Sequence, residues 1–122
     1  MDIAAADSRL SAFALAYPEA EEHFPWGDRV VKVRGKIFVF LGESDGGLYV
    51  GVKLPLSREF ALVFDFAKPM AYGLGKSGWV SCKFGPGDDA DLDLLERWID
   101  ESYRAVAPKK LVAVLRREAT AS

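Results

Sequence analysis

The stretch VVKVRGKIFVFLGESDGGLYVGVKL, Val30–Leu54, decides the fold. Val30–Arg34, Ile37–Leu41 and Leu48–Leu54 are short runs rich in β-branched and aromatic residues, which favour strands. Gly35 and Lys36 sit at the first turn, and Asp45-Gly46-Gly47 supports the second. Turns this short join antiparallel neighbours. Side chains alternate across a strand. Lys32 and Arg34 therefore share one side of the first strand, opposite Val31 and Val33. In the third strand, Tyr49, Gly51 and Lys53 oppose Leu48, Val50, Val52 and Leu54. Such a pattern describes a sheet covered on one face and partly wet on the other.

Outward from this core, DSRLSAFALAY predicts a first helix. Asp7 or Ser8 is its expected cap, Leu10, Phe13, Ala14 and Tyr17 form its apolar stripe, and Pro18 ends it. PEAEEHFPWGDR reads as an irregular acidic connection. Beyond the sheet core, PLSREFALVFDF switches to a helical period, with Leu56, Phe60, Val63 and Phe64 on one side. AKPMAYGLGKSG reads as a glycine-rich connection. WVSCKF alternates again, with Trp79, Ser81 and Lys83 opposite Val80, Cys82 and Phe84. LDLLERWIDESYRAVA predicts a long helix capped by Asp91 or Asp93. Pro108 breaks that helix or begins another. The expected architecture is an α+β two-layer sandwich over residues 1–122 as one domain: a mostly antiparallel four-stranded sheet with helices packed on one face.

The chain has 122 residues, half of them hydrophobic, enough to build a core without metal or disulfide. A single cysteine fits a reducing compartment, and no run reaches membrane-spanning length, so a cytoplasmic protein with no membrane partner is expected. The formal charge of -2 is unevenly distributed. Residues 28–84 carry nine basic and five acidic side chains, whereas both flanking segments are net acidic. A positive middle suits an anionic partner, although the negative total argues against indiscriminate binding to nucleic acid.

YGLGKSGW, Tyr72–Trp79, contains the Gly-Lys-Ser that can finish a phosphate-binding loop. Such a loop needs a glycine five residues before the Gly-Lys pair and a helix after it. Met70 occupies the first position and a strand follows Ser77, so a nucleotide loop is not expected. A tight connection with a solvated Lys76 fits better. A weaker alternative is a small anion nest at Gly73 and Gly75. His23, beside Glu19, Glu21 and Glu22, reads as a solvated acidic turn, because the group lacks a structural-zinc pattern. Cys82 shares its side with Val80 and Phe84 and reads as a buried small side chain. Ser77 and Ser81 have no recognisable histidine–acid partnership. No catalytic residue, metal site or cofactor is assigned. Trp26, Trp79 and Trp98 invite base stacking, and Lys32, Arg34, Lys53 and Lys83 with Trp79 form the strongest constellation for an anionic partner.

Four fragments, EEHFPWGD at 21–28, VVKVRGKIFVFL at 30–41, YGLGKSGWVSC at 72–82 and LLERWIDESYRAV at 94–106, together resemble the MmcQ/YjbR family. The resemblance implies a YjbR/frataxin-like fold with a double-wing arrangement, in a family described as predicted DNA-binding proteins. It maps a basic hairpin onto Lys32, Arg34 and Lys36. It also maps a Tyr/His-Leu-x-Lys-x-x-Trp segment onto Tyr72, Leu74, Lys76 and Trp79. Ser77 and Gly78 depart from the bulkier or more polar residues common there. The resemblance carries no catalytic assignment. The expected function is a non-catalytic nucleic-acid-interacting or regulatory domain. Its expected site is Lys32, Arg34, Lys36, Lys53, Lys76, Trp79 and Lys83, and DNA or another nucleic acid is the expected partner. The alternatives are a protein-binding adaptor, anchored by Trp79 or Trp26, and a small-molecule enzyme.

Overall fold

A computed structural model describes residues 1–25, 29–71 and 73–121, with side chains described through Leu115. Four helices, α1 (Ile3–Leu15), α2 (Arg58–Ala61), α3 (Leu92–Val106) and α4 (Lys109–Ala121), accompany six strands. The strands are β1 (Ala20–His23), β2 (Val30–Val33), β3 (Lys36–Ser44), β4 (Gly47–Lys53), β5 (Ala67–Pro69) and β6 (Trp79–Phe84). They form one antiparallel sheet in the order β1-β2-β3-β4-β6-β5. The fold is α+β, as the alternating runs imply, but the sheet has six strands rather than four.

The two unexpected strands are the outer ones, β1 and β5. β1 is Ala-Glu-Glu-His, mostly exposed, and is held by backbone pairing to Val30–Val33 rather than by an apolar face. β5 is only Ala-Lys-Pro, paired with Val80–Cys82. Charged or proline-bearing edge strands lack the apolar alternation that identifies inner strands.

Both hairpin turns use left-handed backbone. Arg34 and Gly35 have φ of 51° and 79°, and Asp45 and Gly46 have 52° and 76°. Two successive positive φ values match the right-handed twist of paired strands. Arg34 is thus a turn residue and Lys36 opens β3, one step from the expected boundary.

Register puts Val39, Val52 and Val80 in one row and Leu41, Val50 and Cys82 in another, all buried beneath α1 and α3. Helix α1 contributes Ala6, Leu10 and Ala14, and α3 contributes Leu95, Trp98, Ile99 and Tyr103. The first helix begins earlier than expected, because Asp2 caps it by accepting from the Ala5 amide at 3.0 Å. Asp7 is instead paired with Arg29 at 2.7 Å. Asp91 caps α3 by accepting from the Leu94 amide at 3.1 Å. Pro108 begins α4, whose Leu111 and Leu115 pack on the core. Helix α2 is a single turn. Only Ala61 is buried in it, while Leu56 and Val63, expected on its apolar stripe, are 87% and 79% exposed.

A β-bulge sets the middle of the sheet. Val31 faces Val39 but Lys32 faces Ile37, which leaves Phe38 as the extra residue. Phe38 and Val39 are consecutive yet both fully buried. On the other side of β3, where its pairing with β4 ends at Val39–Val52, Ser102 from α3 bridges the two strands. Its hydroxyl accepts from the Lys53 amide at 2.8 Å and donates to the Phe38 carbonyl at 2.5 Å. Ser102 is fully buried.

Ser102→Ala leaves both backbone groups unpaired in the interior and is expected to cost about 1–3 kcal/mol of stability. Denaturant unfolding of the variant and the parent measures this. Burial also pushes the Cys82 thiol up to about 12, so at pH 8 it stays protonated and inaccessible. A thiol reagent at that pH is expected to leave native protein unmodified and to label one thiol per chain upon denaturation.

Candidate functional site

The sheet face away from α1 and α3 carries the largest group of expected site residues. Lys53 pairs in register with Trp79, Tyr49 with Lys83, and Lys32 with Ile37. Partners in register share a face, and their chain neighbours, Val52, Val80, Cys82, Phe84 and Val31, belong to the core on the other side. Lys32, Lys53, Lys83 and Trp79 therefore lie on the outer face. Sequence reading missed Lys68, which pairs with Ser81 and joins them. Its three-residue strand has too little alternation to reveal a face. Lys83 and Lys68 are exposed, while Lys32 and Lys53 are half-buried, their stems lying along the sheet.

Among the described residues, none of these four lysines forms an ion pair. Glu21 is the register partner of Lys32, but its carboxylate lies 3.3 Å from His23 Nε2. Both side chains of that pair are substantially exposed, and no group of three metal-ligating side chains occurs among the described residues.

The middle of the outer face is sealed. Phe40 meets Trp79 edge-on, with ring centroids 5.5 Å apart, and Trp79 is only 8% exposed. Met70 lies across the sheet over Gly51, where an added methyl would stand 2.5 Å from its Cε. Glycine at position 51 thus leaves room for the Met70 side chain, and a larger residue there would displace its terminal methyl and crowd Phe40 at 3.2 Å. The expectation of Trp79 as a base-stacking platform meets this burial: its ring serves as internal support for the face. Trp98 is likewise 3% exposed, within the core, and Trp26 and Tyr72 fall outside the described residues.

Other expected site residues lie apart. Arg34 leaves the strand at the turn, and its guanidinium makes a two-pronged contact with Glu19, Nε to Oε1 at 2.5 Å and Nη2 to Oε2 at 2.9 Å. That hydrogen-bonded pair lowers the Glu19 carboxyl from its usual range and raises Arg34. Lys36 is exposed but pairs with Val33, so its register is that of the helix-bearing side, opposite Lys32. The bulge at Phe38 and the left-handed turn together place these three basic residues in three different settings.

Gly-Lys-Ser falls in a 3-10 turn, Leu74–Ser77, between β5 and β6, with no helix after it. The amides of Leu74, Gly75, Lys76 and Gly78 donate to the carbonyls of Ala71, Met70, Gly73 and Gly75. These inward bonds make the expected tight connection and engage the Gly75 amide, one of the two in the alternative anion nest. Gly75 is buried, and an added methyl there would meet Pro69 Cβ at 2.8 Å, which accounts for its identity. Lys76 projects from this turn and is exposed.

A family model described as YjbR matches residues 15–105. The crystal structure of Deinococcus radiodurans protein DR2400, with a domain of the DUF419 family, is similar in fold. The two share 21% sequence identity, with a TM-score of 0.65 over 79% of this chain and 74% of that one. No curated protein matches the chain. The family match spans β1 through nearly all of α3, including the bulge, the outer lysines and the 3-10 turn, and the chain therefore belongs to the YjbR family.

Proposed function

We propose that this protein is a non-catalytic nucleic-acid-binding domain whose outer sheet face contacts phosphates. The observation that carries this reading is the shared face of Lys32, Lys53, Lys68 and Lys83, without carboxylate partners among the described residues. Lysine ammonium groups on flexible stems suit phosphate oxygens as point charges. Lys32 on β2 and Lys68 on β5 are separated by four strand steps. At roughly 4.8 Å per step this is about 19 Å, wider than a major groove of about 12 Å. The array can therefore meet phosphates on both sides of a groove. Lys76 flanks it, whereas Lys36 and Arg34 make peripheral contributions. The buried Trp79 keeps the face in shape.

A net charge of -2 on the whole molecule favours binding through this face alone. With Trp79 and Phe40 packed against each other, phosphate contact dominates over base reading, and affinity follows salt more than sequence.

The test is a titration of labelled duplex against rising salt, competed by unlabelled duplex and single strands. Saturable binding is expected, with a log–log slope on duplex of roughly -3 to -4 for three to four phosphates neutralised. Replacing Lys53 or Lys83 by Gln is expected to reduce that slope by about one, while Arg34→Gln, already paired to Glu19, changes it little. Absence of binding to either nucleic acid at low salt overturns the proposal.

A further inference from the structure

The opposite side of the molecule carries a second surface. An open groove of about 1150 Å³ runs along α3, walled by Phe13 of α1, by Leu56 just before α2 and by Phe60 within α2. Leu56 is 87% exposed and Phe60 56%. The backbone beneath Leu56 is firmly held, because the Glu101 carboxylate accepts from the Leu56 and Ser57 amides at 2.9 and 3.0 Å and from the Ser57 hydroxyl at 2.6 Å. A fixed backbone thus presents a large apolar side chain to solvent.

The charges along α3 identify what fits there. Asp93, Arg97, Asp100 and Arg104 all line the groove. At 100° per residue they fall within about 60° of one another around the helix. Their signs alternate, and the pattern is self-complementary about a point between Trp98 and Ile99. When a second α3 runs antiparallel across that point, Asp93 faces Arg104 of the other copy, and Arg97 faces its Asp100. The acidic residues of one helix therefore meet the basic residues of the other at every position of the stripe. Arg97 has no ion-pair partner within its own chain among the described residues. Arg104 and Asp93 each have one, at 2.8 Å to Asp100 and 2.6 Å to Arg9, and stay substantially exposed beside it.

We propose that this groove is the interface of an isologous dimer, its occupant being a second copy of this chain. The two-fold that matches the charges brings the Leu56–Phe60 ridge of each copy against the groove of the other. Closed two-fold association uses one self-complementary patch twice, which is the property this stripe has. The ridge supplies the apolar contact and the charges fix the antiparallel orientation. A near-antiparallel crossing, of about 20°, keeps both the inner and outer charge pairs within reach. The outer lysine face lies on the other side of the sheet and remains open in such a dimer.

Sedimentation of the full chain over a concentration series tests this. The parent is expected to pass from monomer to dimer as concentration rises. Leu56→Asp and Phe60→Asp are each expected to weaken the association at least tenfold, with circular dichroism reporting an unchanged fold. Asp93→Arg and Arg104→Asp, both at exposed positions, are each expected to weaken self-association. An equimolar mixture of those two variants is expected to regain it as a heterodimer, because both reversed pairs then match. A parent that stays monomeric throughout, or a mixture that associates no better than its components, overturns the proposal.

Discussion

The Ser102 hydroxyl joins the two layers of this protein at the point where the sheet would otherwise fail. Phe38 is the bulged residue of the β2–β3 pairing, and the β3–β4 ladder ends beside it at Val39–Val52, which leaves the Phe38 carbonyl and the Lys53 amide without strand partners across that pair. Ser102 satisfies both from the helix above. Because buried backbone groups need partners, this bridge fixes the height and rotation of α3 over the sheet. That position lets Tyr103 stack on Tyr17 at 4.5 Å and meet Phe38 at 5.1 Å, closing an aromatic cluster between α1, α3 and β3. The same rotation turns Asp93, Arg97 and Arg104 outward. Bulge, bridge and outward stripe are thus linked through one helix.

The two faces of the sheet have different chemical characters because strand alternation assigns every second residue to each. The helix-covered face is filled by valine and leucine. The outer face holds four lysines around a dry patch of Phe40, Trp79 and Met70. A fully polar outer face would leave the sheet thin, with water on the back of the core. Met70 reaching over Gly51 thickens the centre while the lysines keep the periphery wet.

Much of this was legible in the sequence. Alternation over Val30–Leu54 and Trp79–Phe84 identified the inner strands and the residues on each face, since period-two patterning is strongest where one face is buried. The amphipathic pattern after Asp91 likewise gave α3. The edge strands were illegible because Glu21, Glu22 and Lys68 alternate nothing apolar, and backbone pairing leaves no trace in side-chain type. The ring that meets the buried Trp79 is Phe40, 39 residues earlier in the chain, a contact no local window contains. Arg34 looked like a strand cation because its left-handed φ, fixed by the Arg34-Gly35 turn, has no signal in a residue usually found at negative φ. Leu56 and Phe60 fit a helical stripe by spacing, yet α2 lasts one turn, so the stripe never acquires a common face.

The two border strands have a consequence for how this molecule meets others. β1 offers acidic side chains along its rim, and β5 ends in Pro69, which has no amide hydrogen to donate. Neither rim is a good template for an incoming extended peptide. Extension of the sheet by strand addition from another chain, and the fibrous stacking that begins the same way, are disfavoured on both sides. Recognition by this domain is therefore left to its side-chain surfaces, where single substitutions can retune it without disturbing the hydrogen-bonded frame.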